Sequence, residues 1–189
     1  MKDFVTSAPG RLCLFGEHQD YLGLPVIAMA INRRCQLTWT RRKDTLVKVT
    51  SEAMGDTLAF DLNAIEEDTA STPLEMAVSQ LMPGSQGHPS GVDVHIKSDI
   101  PIRAGCSSST ALITAWTAGW ARLFKVHQTT ADLVKSCHRA EVLSFGGAGG
   151  NMDHFACAHG GLHRFGNGPA LALPELPGAF VLGDSGQPK

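Results

Sequence analysis

Residues 101–116 read PIRAGCSSSTALITAW, and the fold turns on why three serines lead from a short glycine-containing turn straight into an apolar run. Leu112, Ala115, Trp116, Gly119, Trp120 and Leu123 recur at the spacing of one helix face, which predicts a helix from Ser107 onward. Such a helix leaves its first N–H groups without intrahelical partners, and its dipole adds roughly half a positive charge there. Two uses of the serines fit. Ser107 can satisfy one of those groups as an ordinary cap. Alternatively, the turn and the helix start form a backbone cradle for phosphate, in which Gly105 admits close approach and Ser107, Ser108 and Ser109 add hydroxyls, one of them available to Mg2+. No GxxxxGK[ST] occurs in the chain, so a cradle here is not of the Walker type.

The flanking elements predict an α+β fold. Upstream, DFVTSAP and RLCLFG are short apolar runs separated by Pro9-Gly10, a turn signal. RCQLTWTRR, LVKVTS and DTLAFDL alternate as strands, giving a β-rich, mainly antiparallel opening. TPLEMAVSQLM has Leu74, Ala77, Val78 and Leu81 at helical spacing, and GVDVHIKSDI alternates as a strand. Downstream, a second helix is expected from Thr129 to about Phe145, and a shorter one after the glycines at 146, 147, 149 and 150. GGLHRF, ALALPEL and GAFVLGD return to strands. The chain stops immediately after the last of these, which leads us to expect the front part of a longer protein.

Bulk composition narrows the partners. With 16 Lys and Arg against 18 Asp and Glu, no charge excess favours nucleic acid or an anionic membrane, so any bound anion must be held locally. Cysteines 13, 35, 106, 137 and 157 stand singly, without a CxxC pair or a short metal spacing to histidine. Free thiols and a cytoplasmic location are expected. No apolar run approaches the length of a membrane span, and the N-terminus lacks the pattern of a signal peptide.

Three further groups carry chemistry. Val134, Cys137, Glu141 and Phe145 share one helix face, which places the Glu141 carboxylate on the apolar side. Desolvating it costs several kcal/mol unless compensated, so a divalent metal or a salt bridge to an arginine is expected. Asp153 begins a short helix after the glycines, either as a routine first-turn acid or as an acceptor for a substrate hydroxyl proton. In APGRLCLFGEHQDYLG, residues 8–23, Arg11 stands in an otherwise apolar strand, and Glu17, His18 and Asp20 crowd the turn beyond it. They are either exposed loop charges or a polyol site, since each sugar hydroxyl both donates and accepts.

On these residues the chain resembles the GHMP small-molecule kinases. SAPGRLCLFGEHQDYLGLPVIAMAI resembles the first signature of that family, and its GEHxDY form is similar to galactokinase and related sugar 1-kinases. IPIRAGCSSSTAL resembles the second signature, PxxxGLxSSA, and AEVLSFGGAGGNMDHF the later AExxxxGxxxGxMDQ segment of sugar kinases. The resemblance covers almost the whole chain, with the three motifs in family order.

The resemblance implies a fold like domain 2 of ribosomal protein S5, with residues 1–189 as a GHMP kinase N-terminal domain and a C-terminal domain beyond it. It implies ATP-dependent phosphorylation of a sugar hydroxyl, the anomeric one in the galactokinase-like branch. The alternatives are a catalytically silent sugar- or nucleotide-binding module, or a kinase for a non-sugar acceptor such as mevalonate. By position, Asp153 and Arg11 are the implied catalytic residues, and Glu17, His18 and Asp20 the implied sugar ligands. Gly105, Ser107 and Ser108 would line the triphosphate, with Ser109 and Glu141 holding Mg2+. Three positions depart from the pattern: Arg103-Ala104 stand where sugar kinases carry glycines, Cys106 takes a leucine position, and His154 follows the implied catalytic acid in place of glutamine. The third family signature, in the C-terminal domain, does not occur in these residues, which implies weak or no turnover by the chain alone.

Overall fold

In the computed structural model, which describes residues 3–52, 55, 57–84, 90–166 and 168–183, the chain opens with two long antiparallel strands, β1 (Phe4–Phe15) and β2 (Val26–Arg41). Strands β3 (Leu46–Ser51) and β4 (Thr57–Asp61), helix α1 (Pro73–Leu81) and strand β5 (Val92–Ser98) follow. Helices α2 (Ser108–Phe124), α3 (Thr130–Glu141) and α4 (Met152–His159) precede strands β6 (Leu162–Gly166) and β7 (Gly168–Ala172). The strands form one sheet in the order β4-β3-β5-β2-β6-β7, with β1 paired to β2. β3 and β5 pair in parallel and the other described pairs are antiparallel, so the expected α+β arrangement with a mainly antiparallel sheet is found.

The core lies between this sheet and the helices. Alternation along β2 buries Cys35, Leu37 and Trp39. Trp39 stacks on Phe4 at 5.6 Å and meets Trp116 and Trp120 of α2 at 5.2 and 5.7 Å between ring centroids. Its indole N–H donates to Thr6 Oγ1 at 2.8 Å, so the polar atom of the buried ring is satisfied. This aromatic wedge seats α2 on β1 and β2 and thereby fixes where its N-terminus emerges.

Three local expectations are corrected. Pro9-Gly10 does not turn the chain: β1 runs straight through it, and the register passes from Pro9 opposite Arg34 to Arg11 opposite Ala30. The cause lies outside the strand pair. The Arg11 N–H donates to the Cys106 carbonyl at 3.1 Å, and a Cβ on Gly10 would lie 2.7 Å from that same oxygen. Gly10 is therefore the irregularity at which residues 101–107 dock on β1.

The second helix after the serine turn ends at Glu141 rather than near Phe145, because Val142 leaves helical geometry at φ −116°, ψ −64°. A 3-10 turn, Leu143–Phe145, follows and closes on Gly146 in the left-handed region, which leaves Phe145 46% exposed instead of on the buried face. Lastly, the described part of GAFVLGD, residues 178–183, is not a strand, and Val181 is 95% exposed. Pro174 and Pro177, which lack an N–H, precede it and cannot donate to a ladder. Asp184 lies outside the described residues. The cysteines are free thiols, and no helix among the described residues is long and apolar enough to cross a membrane.

Candidate active site

The site is built where the turn before α2, the end of β1 and the start of α4 meet. Ser107 sits at the α2 N-cap position but with φ 55°, ψ 46°, and its side chain makes no capping bond. Its hydroxyl instead donates to Asp153 Oδ2 at 2.7 Å. The capping use of this serine is thus overturned, and the first N–H groups of α2 are not closed off by it. Gly105 is left-handed at φ 72°, with open space where a Cβ would be.

Arg11 ties the pieces together. It is 4% exposed, its Nε donates to Asp153 Oδ1 at 2.7 Å, and its Nη2 lies 2.7 Å from the same oxygen in an ion pair. Its Nη1 donates to the Gly105 carbonyl at 2.6 Å, and Glu17 Oε1 lies 3.8 Å from Nη2. One buried guanidinium therefore fixes the serine turn against the carboxylate of α4 with planar, directional bonds that a lysine would not supply.

Asp153 lies in the first turn of α4 as expected of an acid there, but it makes no capping bond, its two oxygens being taken by Arg11 and Ser107. The α4 cap residue, Asn151, makes no side-chain capping bond, and the Met152 N–H donates to Asp20 Oδ2 at 3.0 Å, across the molecule. That contact requires Gly150, where a Cβ would lie 1.9 Å from Asp20 Oδ2. The glycine-rich stretch is partly explained by this close approach.

Glu141, the last residue of α3, turns its mostly covered carboxylate inward as expected, and its partner among the described side chains is a histidine rather than an arginine. His154 Nε2 lies 2.9 Å from Glu141 Oε2, with the two side chains 3% and 16% exposed. Burial pushes the Glu141 carboxyl up, yet hydrogen bonds from His154, Ser109 and Thr110 outweigh it and hold the group below its ordinary 4.5. Arg139 pairs elsewhere, with Glu67 at 2.9 Å. His154 is a residue whose contact the sequence reading missed. It stood out as a departure from a motif, and the signal that marks it is the need of an inward glutamate for a donor.

Every sequence-predicted site residue lines one of two adjoining cavities. The first, about 320 Å³, takes Arg11, Glu17, His18, Asp20, Ser109, Glu141 and Asp153, together with Tyr21, Thr110 and His154. The second, about 310 Å³, takes Arg11, Gly105, Ser107, Ser108, Ser109 and Asp153, together with Arg103. Arg11, Ser109 and Asp153 belong to both. The first brings four carboxylates against one guanidinium and two imidazoles, whereas the second sets two guanidiniums against one carboxylate. Hydroxyl-rich neutral groups suit the former and anions the latter. Ser109 and Glu141 both line the first cavity and offer the oxygen donors that Mg2+ prefers. Among the described residues, no group of three or more His, Cys, Asp or Glu is placed to form an all-protein metal cage.

Residues 73–161 match the profile of the GHMP kinases N terminal domain, and residues 1–40 match the galactokinase galactose-binding signature. A mevalonate kinase of Thermococcus gammatolerans is 29% identical over 192 residues, covering 96% of this chain and 57% of that protein. A galactokinase of Streptomyces coelicolor is 30% identical over 193 residues, covering 92% of this chain and 46% of that protein. The structure of Lactococcus lactis galactokinase complexed with galactose aligns with a TM-score of 0.81 at 26% identity, over 92% of this chain and 47% of that one. The chain thus spans about half the length of the relatives it matches. Mevalonate kinases match at least as strongly as galactokinases, so the comparisons do not favour the galactokinase-like branch expected from GEHQDY.

Proposed function

Since the chain belongs to the GHMP kinase superfamily and carries its S5 domain 2-like fold, we propose that it is the N-terminal domain of an ATP-dependent kinase acting on a small-molecule hydroxyl. The observation that carries the proposal is Arg11 bonded at once to the Gly105 carbonyl and the Asp153 carboxylate, which joins an anion-suited cavity to a hydroxyl-suited one. Phosphoryl transfer asks a protein mainly for positioning and charge neutralisation, and the residues divide between those tasks.

The free N–H groups at the start of α2, with Gly105, Ser107 and Ser108, would cradle the ATP phosphates, and Ser109 and Glu141 would hold Mg2+. A cation held there would neutralise charge on the phosphates. Arg11 would stabilise charge beside the transferring group while orienting Asp153. Asp153 lines both cavities, and it would accept the proton of the attacking hydroxyl or hold that hydroxyl in line. Glu17, His18 and Asp20 would bind the acceptor.

Two acceptor classes have support. A sugar, phosphorylated at its anomeric hydroxyl, is supported by the galactose-binding signature over residues 1–40 and by the four carboxylates of the first cavity, which a neutral polyol can satisfy. A mevalonate-like acceptor is supported by the mevalonate kinase relatives. It would bring a further carboxylate beside Glu17 and Asp20, with Arg11 already engaged by Asp153.

The test has two stages. Calorimetry with ATP and Mg2+ measures donor binding by this chain, and absence of binding by folded protein would overturn the proposal. Mass spectrometry after incubation with monosaccharides and mevalonate then identifies any product. A sugar phosphate selects the first acceptor class and phosphomevalonate the second. ATP binding without transfer to any acceptor leaves a nucleotide-binding module.

A further inference from the structure

We propose that His154 is a positioning residue, which fixes the Glu141 carboxylate as a preformed ligand for the divalent cation that accompanies the nucleotide. The proposal rests on the kinase reading above and on Glu141 as a cation ligand within it. Its basis is the arrangement around Glu141. A carboxylate at the end of α3, 16% exposed, costs several kcal/mol to bury unless donors meet it, and it retains a fixed orientation only if those donors are themselves held.

His154 meets both requirements. Its Nε2 lies 2.9 Å from Glu141 Oε2, while its ring packs edge-on against His138 with centroids 5.2 Å apart. His138 is held in turn, its Nε2 lying 2.9 Å from the Gly149 carbonyl. Successive contacts thus run from the glycine stretch through two imidazoles to the carboxylate. One carboxylate oxygen is engaged by the imidazole, so the orientation of the group is set, and its other oxygen would serve as the cation ligand. Outer partners of this kind orient a ligand without touching the metal.

The far side of the ring agrees with this division of labour. His154 Nδ1 is buried and has no hydrogen-bond partner among the described residues, so the side chain makes one polar contact, and that contact is with Glu141. An imidazole placed to bind a substrate would present an accessible nitrogen to the cavity instead. A side chain that donates to Glu141 from the same place with the same reach should therefore replace it.

The experiment compares His154→Gln, His154→Asn and His154→Leu with the parent chain, measuring ATP affinity by calorimetry with excess Mg2+ and again with EDTA. The glutamine amide reaches Glu141 and should keep the affinity gained from Mg2+. The shorter asparagine and the apolar leucine should lose about tenfold or more of that gain while ATP affinity in EDTA stays at the parent value. If the leucine variant does not fold, the glutamine–asparagine contrast decides alone, since both keep an amide. The proposal is overturned if asparagine matches glutamine, or if affinity in EDTA falls in parallel. A parent chain that does not bind ATP defeats the kinase reading itself. One that binds ATP equally with and without Mg2+ defeats only the cation role of Glu141, and this inference with it.

Discussion

Arg11 carries a full charge in a nearly closed position, and the molecule tolerates this because Asp153 compensates it. A buried arginine loses its solvation, and removing its carboxylate leaves an uncompensated charge whose cost exceeds the value of the pair when present. The two oxygens of Asp153 are divided, one to Arg11 and one to Ser107. An asparagine can reproduce that division, its oxygen accepting from Arg11 and its amide donating to the Ser107 hydroxyl. Asp153→Ala is therefore expected to destabilise the fold by about 3 kcal/mol in urea denaturation, and Asp153→Asn by clearly less. Where an acceptor has been identified, Asp153→Asn should lower transfer at least about 100-fold, as loss of a positioned base does, with ATP affinity nearly unchanged. Equal losses of both would move Asp153 into the nucleotide site. Arg103 differs from Arg11 in having an exposed side chain at the cradle, on a backbone at φ 58°, so the departure from glycine adds a cation to the lining.

Among the elements, the ends that were legible are those whose causes are local. α1 and α3 begin at Thr72 and Thr129, each closed by a capping box with Glu75 or Asp132 three residues on. Burial pushes the Glu75 carboxyl up, but bonds from the hydroxyls and N–H groups of Ser71 and Thr72 hold it below its ordinary 4.5. The hydroxyl and N–H of Thr129 hold Asp132 below 3.8 in the same way. Carboxyls depressed on folding contribute stability that is complete above their unfolded values and is lost as pH falls through their folded ones. The melting temperature should accordingly drop between about pH 5 and pH 2, and Glu75→Gln should shrink that drop. An acid limb unchanged in the variant would show that the box contributes nothing. The irregularity at Gly10 was illegible for the opposite reason. Gly10 answers to the Cys106 carbonyl, nearly a hundred residues away, and periodicity carries no trace of such a partner.

Over the whole molecule, three segments distant in sequence had to converge before any site residue acquired a role, and their motif order made that convergence legible even though the contacts were not. Nothing in GCSSS says that its first serine would serve Asp153 rather than its own helix. What brings α2 to that place is the packing of its other end. A Cβ on Gly119 would lie 2.1 Å from Cζ2 and 2.5 Å from Cε2 of Trp39, so the helix rests directly on the indole face. The ring cannot yield, being held between Phe4, Trp116 and Trp120. Gly119→Ala brings two opposed effects: alanine favours the helix by about 1 kcal/mol, while overpacking a rigid core costs roughly 1–3 kcal/mol. A 2.1 Å approach to a fixed ring puts the cost at the upper end, so the steric effect wins. The variant should melt at lower temperature, with altered tryptophan fluorescence. Because α2 must shift as a rigid rod to relieve the contact, its N-terminus should move relative to Arg11 and weaken ATP binding as well. A variant as stable as the parent would show that α2 is located by something other than its seat on Trp39.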